Sequence, residues 1–418
     1  MKQRKKNPGG SVIRQKTEKE EKKSPDFRSY LFTEAEISFD YRGTGAPAEP
    51  LANLPYDIEC RAKERAFEKF LTRSGCEAEI SPLVCSPLPR GYRFTTKRKV
   101  VFSETGIRLA SDAGRNPVFD SLLEPDIHRT VYHAIEGHLA GRDGTRLARK
   151  INFLIVRGGE NGLSVIWNLD TLSGDIVRMV TRISEKIRDE THAVESSFIF
   201  FDPSRSKYYF ENDATERGPF RMKKLFGKKT LSMRMRGILY TFPPTSFAQV
   251  NAGIADAMVG HLGSFFSGGS DRLVDLYCGF GVFSCALGPG YGEVVGADMS
   301  RGSIDAAIEN AKHREGMPSA RFLSRTIDRT SIHGILPKKG PGEHIILDPP
   351  RQGVSPGVIE TLYGRSVEKV AHIFCGMDVL MRDVSRWRRG GYRIARIVPF
   401  DMFPGTASLE CIVDLIVR

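Results

Sequence analysis

The sequence predicts an α/β protein, with a doubly wound, seven-stranded mixed sheet in its C-terminal part and an α+β domain before it. Seven short apolar runs follow one another from about Gly237 onward, and helical stretches or loops separate the first five. This rhythm is typical of a doubly wound sheet. From about Arg28 to Arg236, helical periodicities and hairpin signals are mixed rather than alternating, which predicts an α+β domain. A length of 418 residues is enough for two or three domains.

The N-terminal stretch differs in composition from the rest of the chain. Residues 1–27 are polar and rich in Lys and Glu, so we expect a disordered basic arm. This arm either contacts nucleic acid non-specifically or is a solvated tail. The predicted organisation is therefore an arm (1–27), a central domain (28–236) and a C-terminal domain (237–418).

Periodicity places the elements of the central domain in order. A helix should begin after Pro55 and end near Gly75, a second should cover 124–141, and a third should cover 175–187. Two apolar runs around a Gly-Gly-Glu-Asn-Gly turn predict a β-hairpin over 151–169. The stretches SFIFF and KYYF are predicted as further strands. The apolar positions expected to face the core are Ile58, Phe67, Phe70, Leu71, Ile127, Val131, Ile135, Leu139, Ile176, Val180, Ile183 and Ile187.

Charge favours a polyanionic partner. The chain carries a formal net charge of +12, and nucleic acid is the first candidate for a basic protein, although the charge also serves solubility. Two basic clusters lie in the central domain. One interleaves Arg90, Arg93, Lys97, Arg98 and Lys99 with Tyr92 and Phe94, and the other is RMKKLFGKKTLSMRMR over 221–236. Basic residues among aromatics suit RNA contact, and an ordinary solvated face is the alternative.

Several classes are excluded by composition. The chain has no apolar run of 18 or more residues, which argues against a membrane span. Its basic start lacks the apolar core of a secretory signal. Seven scattered cysteines indicate a reducing compartment rather than a disulfide framework, so we expect a cytoplasmic protein.

Glycines and acids at successive strand ends predict a nucleoside-binding site. DLYCGFG ends a strand and turns through Gly279 and Gly281, which allow a ligand close to the backbone. The next strand ends at Asp298, where an acid commonly holds ribose hydroxyls, and Asp328 follows the third strand. A dinucleotide oxidoreductase also has this layout. However, Ser284 occupies the position of the third glycine of that fingerprint.

A second group of polar residues follows the later strands. Asp348 and Arg351 lie after the fourth strand, Cys375 follows the fifth, and Glu410 begins the last. Cys375 is either a packing residue or a nucleophile whose pKa is lowered by the helix that follows it. Asp348 is otherwise a turn residue, and Glu410 is otherwise an acid at a sheet edge.

Together these motifs resemble the RNA uracil-5 methyltransferase family, which makes 5-methyluridine in tRNA and 23S rRNA. The resemblance rests on SFAQVN (246–251), DLYCGFG (275–281), DPPRQG (348–353), FCG…RD (374–383) and MFPGTASLE (402–410). It covers most of the last 180 residues and implies a Rossmann-like methyltransferase domain that uses S-adenosylmethionine. It also implies an RNA partner, with 23S rRNA favoured over tRNA.

The family mechanism assigns roles to individual residues. A cysteine, here Cys375, adds to carbon-6 of uracil, and a base, here Glu410, removes the carbon-5 proton after methyl transfer. Phe247 matches an aromatic position that stacks on the flipped base, and Arg351 is expected to contact the substrate. The resemblance implies a cofactor site made of Gln249, Tyr277, Gly279, Gly281, Asp298, Asp328 and Asp348.

The sequence also departs from the family pattern. After Cys375 the usual Asn-Pro-x-Thr is replaced by Gly376-Met377-Asp378-Val379, Val282 stands in the glycine loop, and Asp298 replaces the more usual Glu. Cys60, Cys76 and Cys85 lack the spacing of the iron–sulfur cluster that many relatives carry, so no cluster and no metal are expected. The other cysteines, Cys278, Cys285 and Cys411, are predicted to pack in the core.

Two further functions remain as alternatives. A non-catalytic RNA-binding or ribosome-assembly factor with the methyltransferase fold fits the altered residues after Cys375, but it would need neither Cys375 nor Glu410. An RNA cytosine-5 methyltransferase fits less well, because those enzymes use Pro-Cys or Thr-Cys motifs. We expect a monomer.

Overall fold

Two helices near the start of the chain pack onto the C-terminal sheet. The computed structural model describes residues 26–37, 49–104, 106–111, 117–159, 162–205, 221–267, 270–339, 342–365 and 367–418. Helix α1 (Phe27–Glu34) begins where the Asp26 carboxylate accepts the Ser29 N–H, and α2 covers Tyr56–Arg73. Phe27, Phe67 and Leu71 share one hydrophobic core with strands of the C-terminal sheet. Ile58, predicted to face the core, is instead 41% exposed, because it lies outside the buried stripe of α2.

A six-stranded sheet forms the middle of the molecule. Its order is β2-β1-β3-β4-β5-β6, and every pairing is antiparallel except β4 with β5, which α5 connects. Apolar side chains on one face pack against α3, α4 and α5. The predicted hairpin is β3–β4, whereas the predicted strand KYYF lies outside the described residues. The elements are β1 (Thr95–Ser103), β2 (Gly106–Ala110), α3 (Asp126–Leu139), α4 (Gly141–Ala148), β3 (Ile151–Gly159), β4 (Gly162–Leu169), α5 (Gly174–Thr191), β5 (Val194–Phe201) and β6 (Arg221–Phe226).

A small hairpin connects this sheet to the C-terminal domain. Strands β7 (Leu231–Met235) and β8 (Ile238–Phe242) pair antiparallel. Helix α6 (Ala252–Phe265) follows, and the Asn251 side chain accepts the Ile254 N–H at its start. The hairpin and α6 share a hydrophobic core with the C-terminal sheet.

All seven apolar runs of the C-terminal domain are strands of one sheet. Its order is β11-β10-β9-β12-β13-β15-β14, and β15 is antiparallel to both of its neighbours. The sheet is therefore mixed and doubly wound, as predicted. The elements are β9 (Ser270–Leu276), α7 (Val282–Leu287), β10 (Tyr291–Asp298), α8 (Arg301–Lys312), β11 (Ser319–Ser324), α9 (Ile332–Ile335), β12 (Glu343–Leu347), α10 (Val358–Tyr363), β13 (Lys369–Phe374), α11 (Met377–Arg389), β14 (Tyr392–Phe400) and β15 (Glu410–Val417).

The outer strand β14 is covered by a segment from the N-terminal part of the chain. This edge segment, residues 79–86, forms parallel bridges to β14 at Ile80–Ile397 and Val84–Phe400. Such cover protects an edge strand from pairing with other chains. Within the described part of the chain, no helix combines the length and the apolar character needed to cross a membrane.

The domain division at residues 27/28 and 236/237 stays a prediction. The proposed arm lies outside the described residues as far as residue 25. The core that unites α1 and α2 with the C-terminal sheet favours treating residues 27–37 and 49–86 as one packed unit with the C-terminal domain.

Candidate active site

The candidate site lies at the carboxyl edge of the seven-stranded sheet. Strand β9 lies between β10 and β12, so the strand order reverses at this point of the sheet. Open α/β sheets bind ligands at such a switch point. Tyr277 directly follows β9, Asp298 ends β10, Asp348 follows β12 and Cys375 follows β13. The fold thus brings these predicted residues to one edge.

Strand register places Cys375 opposite Glu410. Strands β13 and β15 are antiparallel, and Phe374 faces Cys411 across them. Extending the register by one residue places Cys375 opposite Glu410, where the two side chains interact. The Glu410 side chain is buried, and its Oε2 has no hydrogen-bond partner among the described residues. A thiol and a carboxylate with spare acceptor capacity are therefore adjacent.

Two residues of the DPPRQG loop complete this group. The Cys375 Sγ lies 3.8 Å from Asp348 Oδ1, towards which the thiol donates. The Asp348 N–H donates to the Leu276 carbonyl at 3.2 Å, which fixes the loop against β9. Arg351 is exposed, and its guanidinium carbon lies 5.9 Å from the centroid of the Phe403 ring.

Burial raises the pKa values of the thiol and of both acids. Burial, and then the neighbouring Glu410 and Asp348, raise the pKa of the Cys375 thiol well above its usual value. Burial raises the pKa of Glu410 to about 7, and burial with Glu410 beside it raises that of Asp348 well above its usual range. The predicted lowering of the thiol pKa is therefore wrong, because desolvation and two nearby acids outweigh the start of α11. Groups this close titrate as a set.

A cleft of about 230 Å³ opens beside Cys375. The start of α1 forms one wall, and the loop before Glu410 contributes Ala407, Ser408 and Leu409. The remaining lining residues are Asp26, Phe27, Arg28, Arg351, Gly376, Met377 and Asp378. The side chain of Cys375 is therefore within reach of a ligand that enters from solvent.

A buried ionic network holds the loop that leads to Glu410. Lys63 of α2 is completely buried and donates to Glu59 Oε1 at 2.8 Å, Asp401 Oδ1 at 2.7 Å and the Phe403 carbonyl at 3.1 Å. Glu59 Oε1 also accepts the Gly405 N–H at 2.5 Å. Local sequence patterns give no sign of this network, because Asp401 lies 338 positions from Lys63.

The glycine loop has the backbone shape expected of a ligand-binding turn. Tyr277, Gly279 and Gly281 have φ values of 68°, 53° and 85°. A Cβ on Gly281 would lie 3.2 Å from the Cβ of Ala307, so a side chain there would crowd α8. Asp298 accepts the Gly279 N–H at 3.1 Å and the Ser300 N–H at 2.8 Å, which holds the loop against the end of β10.

Asp275, the last acid of β9, supports this loop from below. It is fully buried, and its Oδ2 accepts the N–H and hydroxyl of Ser284 at 3.0 Å and 2.6 Å. Burial raises its pKa to about 6.

Asp328, by contrast, is at the surface and accepts the Thr330 and Ser331 N–H groups, and these bonds lower its pKa. The Asp328 carboxylate thus stabilises its own turn.

The SFAQVN segment lies between β8 and α6 and presents two contrasting side chains. Gln249 is buried, whereas Phe247 is 60% exposed. Ser246 hydrogen-bonds Ser303 at 2.9 Å, and the Asn251 amide donates to Ser86 at 3.0 Å. The backbone that carries Phe247 is therefore anchored on both sides while its ring faces solvent.

The first predicted RNA-binding cluster is largely structural. Arg98 is fully buried, is paired with Glu124 and lies 4.4 Å from the centroid of the Tyr132 ring. Arg90 donates to Glu59 and to the carbonyls of Leu51, Ala52 and Leu54. RNA contact through Arg98 is therefore wrong, whereas Arg90 is partly exposed but engaged within the protein. The lysines of the second cluster, Lys223, Lys224, Lys228 and Lys229, are exposed.

The remaining cysteines predicted to be packing residues are buried in the cores. Cys278 and Cys285 lie in the core shared by α6, α7 and the sheet, and Cys411 lies in the core shared with α1 and α2. Among the residues that the structure covers, no group of three or more His, Cys, Asp or Glu side chains is placed to hold a metal ion.

Comparison with known proteins agrees with the motifs. Residues 215–418 match the family model described as tRNA (uracil-5-)-methyltransferase. These residues make up just under half of the chain, and this part is similar to that family. The family is one of RNA (uracil-5-)-methyltransferase enzymes, so the resemblance inferred from the five motifs is confirmed.

Relatives of the family align over different lengths. An uncharacterized RNA methyltransferase of Thermotoga maritima is 28% identical over 378 residues, covering 87% of this chain and 81% of that protein. One of Thermosynechococcus vestitus is 34% identical over 191 residues, or 45% of this chain. The aligned part spans 41% of the Thermosynechococcus protein and 57% of a Streptococcus pyogenes relative.

A solved structure shares the fold. The tRNA (uracil-54, C5)-methyltransferase of Pyrococcus abyssi, solved in complex with S-adenosyl-L-homocysteine, superimposes with a TM-score of 0.65 at 21% identity. The match covers 89% of this chain and 87% of that chain. The predicted fold class, an α/β protein with a Rossmann-like domain, is confirmed.

Proposed function

We propose that this protein methylates carbon-5 of a uridine in RNA through a transient covalent bond between Cys375 and the pyrimidine. The observation that carries this proposal is the pairing of Cys375 with Glu410 across β13 and β15, beside an open cleft. Covalent activation of uracil needs a nucleophile and a base close together. A thiol used only for packing would not need a buried acid at its side.

The carboxyl edge of the sheet fits S-adenosylmethionine as the methyl donor. The glycine loop allows close approach, and Gly279 has open space where a Cβ would lie. An ionised carboxylate accepts about four hydrogen bonds, so the two backbone bonds to Asp298 are compatible with a ribose hydroxyl. The Tyr277 hydroxyl is buried at this edge, where its pKa is raised to about 12 by burial. The residues proposed to hold the cofactor are Gln249, Tyr277, Gly279, Gly281, Asp298, Asp328 and Asp348.

The first chemical role belongs to Cys375. Its sulfur bonds carbon-6 of the uracil as the thiol passes its proton to the carboxylate of Asp348, towards which it donates. Glu410 then stays free to act as the base of the later step. This addition moves an electron pair to carbon-5, which is otherwise a weak nucleophile. Bound S-adenosylmethionine supplies an electrophilic methyl group.

The second role belongs to Glu410. After methyl transfer, carbon-5 carries a proton that must leave before the carbon–sulfur bond can break. Glu410 removes that proton, the double bond reforms and Cys375 departs. A carboxylate whose pKa is raised to about 7 is well matched to this task, because a base is most effective when its pKa lies near the working pH.

Residues outside the catalytic group would bind the RNA. Phe247, whose ring is exposed, would stack on an unstacked base, and Arg351, which lines the cleft beside Cys375, would contact the nucleotide. The exposed lysines of 221–236 suit the phosphate backbone. The preference for 23S rRNA over tRNA, the monomeric state and the cytoplasmic location remain predictions.

Release of tritium from carbon-5 tests the proposal directly. RNA labelled with tritium at uracil carbon-5 is incubated with the protein and S-adenosylmethionine. We expect tritium in water, no release by Cys375→Ala, and unchanged release by Cys76→Ala, which removes a thiol elsewhere. Methylation at another atom without release of tritium, or full release by Cys375→Ala, would contradict the proposal.

Mapping of the modified nucleotide distinguishes the candidate RNAs. Mass spectrometry of 23S rRNA and tRNA from a deletion strain should reveal one 5-methyluridine that is lost and is restored by the wild-type gene. Loss in tRNA alone would overturn the rRNA preference. If neither RNA loses a 5-methyluridine but ribosome assembly is impaired, a role as a non-catalytic assembly factor would be favoured.

A further inference from the structure

Two cysteines outside the candidate active site lie in direct contact. Cys60 is on α2 and Cys85 is on the edge segment, 25 positions later in the chain, yet their sulfur atoms are 2.6 Å apart. Cys85 is exposed and Cys60 is partly buried. The proposed methyl transfer uses neither thiol.

We propose that Cys60 and Cys85 form a reversible redox site, in which a peroxide converts the two thiols into a disulfide. Both thiols are free, one is open to solvent and the other is already in contact with it. Redox-sensitive cysteines have this arrangement: an accessible thiol that reacts first, with a resolving thiol at its side.

The surroundings favour Cys85 as the thiol that reacts first. Its hydrogen bond with Cys60 lowers the pKa of Cys85, whereas the same contact raises that of Cys60. Because the thiolate is the nucleophile, the more exposed sulfur is also the more reactive one. Peroxide would therefore reach the reactive thiolate without any opening of the fold.

The proposed reaction is balanced for a peroxide oxidant. The Cys85 thiolate attacks one peroxide oxygen, the O–O bond breaks, and a sulfenic acid and water form after protonation. Cys60 then attacks the sulfenic sulfur, a second water leaves, and the S–S bond closes. Two thiols lose two protons and two electrons, and hydrogen peroxide becomes two waters.

The disulfide would connect two elements that both support the active site. Tyr56, on the same helix as Cys60, donates to Asp401 Oδ2 at 3.0 Å and accepts the Ser86 N–H at 2.6 Å. Ser86, next to Cys85, accepts from Asn251 at the end of the SFAQVN motif. Oxidation would thus tie α2 to the edge segment where both touch loops of the site. A cross-link between these elements should raise the melting temperature, because it limits the unfolded chain.

Peptide mapping under non-reducing conditions tests the proposal on the full-length protein. Reduced protein is treated with hydrogen peroxide, free thiols are blocked with iodoacetamide, and the digest is analysed by mass spectrometry. We expect a Cys60–Cys85 cross-linked peptide that dithiothreitol releases, and a melting temperature above that of the reduced protein. Cys76→Ser should behave like wild type, whereas Cys85→Ser should leave Cys60 open to alkylation.

Two results would overturn the proposal. One is that both thiols are alkylated after peroxide as completely as in the reduced protein. The other is that Cys85 proceeds to sulfinic acid while Cys60 remains a thiol. Neither readout depends on methyl transfer, so failure here would leave the proposed function untouched.

Discussion

At the level of single residues, the site is defined by a thiol that lies beside two carboxyl groups. Their identity was predictable, because Cys375, Asp348 and Glu410 each stand at a strand end where this fold binds ligands. Their protonation states were not predictable from the sequence. They depend on how deeply each group is buried and on the register that pairs β13 with β15, and neither quantity is written in a local stretch of sequence.

Activity should rise with pH through the titration of Glu410. In the proposed mechanism Glu410 must be ionised to remove the carbon-5 proton, and burial raises its pKa to about 7. We therefore expect kcat/KM to increase as pH passes through about 7, and Glu410→Gln to accumulate a methylated covalent adduct on ordinary RNA. Rates that are flat across this pH range, together with an active Glu410→Gln variant, would contradict the role of Glu410.

Folding stability, unlike activity, should fall as the pH rises. The pKa of Glu410 rises from 4.5 to about 7 on folding, so the folded chain holds this proton more tightly than the unfolded chain. Stability then falls as pH rises between these values. Glu410→Gln should lose that part of the pH dependence and be more stable than wild type at pH 8 by roughly 1–3 kcal/mol. Denaturant unfolding at several pH values measures this.

Phe247 should contribute to RNA binding and little to stability. Its ring is 60% exposed, so Phe247→Ala removes few buried contacts. Base–aromatic stacking contributes about 1–3 kcal/mol, so KM for RNA should rise by roughly tenfold to a hundredfold. Phe247→Trp keeps a stacking surface and serves as the control. An unchanged KM with Phe247→Ala would exclude this residue from the RNA site.

At the level of elements, the sequence predicted which helices and strands form better than it predicted what they touch. Helices α2, α3 and α5 and the hairpin β3–β4 follow from periodicity and turn residues. The packing of α2 against the loop before Glu410 does not, since it depends on contacts between distant parts of the chain. The same limit explains Arg98, whose surface-like sequence gave no sign of its buried partner Glu124.

Lys63 should be required for both stability and activity. Lys63→Met removes the cation that compensates Glu59 and Asp401, and both of these acids are completely buried. Removing one partner of a buried ionic group costs about 3–5 kcal/mol. The loop from Asp401 to Leu409 should loosen, and kcat should fall at temperatures where the variant is still folded.

An exposed lysine of the same helix provides the comparison. The side chain of Lys69 is 56% exposed and pairs with Glu34. Lys69→Met should change the free energy of unfolding by less than about 1 kcal/mol. Equal effects of the two substitutions in denaturant unfolding would contradict the importance of the buried network.

At the level of the whole molecule, the doubly wound sheet was predictable because each apolar run in the C-terminal domain forms one strand. The attachment of α1, α2 and the edge segment to that sheet was not predictable, because their apolar residues could equally have packed on the central sheet. Net charge points to a polyanion, but burial decides which cations are available to it. The exposed lysines after β5 are available, whereas Arg90 and Arg98 are engaged within the protein.

RNA affinity should therefore depend on salt through the exposed lysines. A plot of log affinity against log salt should have a negative slope, since each neutralised phosphate releases counterions. Changing Lys223 and Lys224 to Gln should reduce that slope by roughly 1–2. Lys186→Gln, at an exposed site on α5, should leave it unchanged. A slope insensitive to Lys223 and Lys224 would place the RNA elsewhere.

The claim on which the account depends is a bond between the Cys375 sulfur and a pyrimidine. RNA that contains 5-fluorouridine traps this bond, because fluorine cannot leave carbon-5 as a proton. After incubation with S-adenosylmethionine and digestion, mass spectrometry should find the methylated nucleotide on the peptide that contains Cys375, and Cys375→Ala should yield no adduct. An adduct on any other residue, or one that survives Cys375→Ala, would contradict the account.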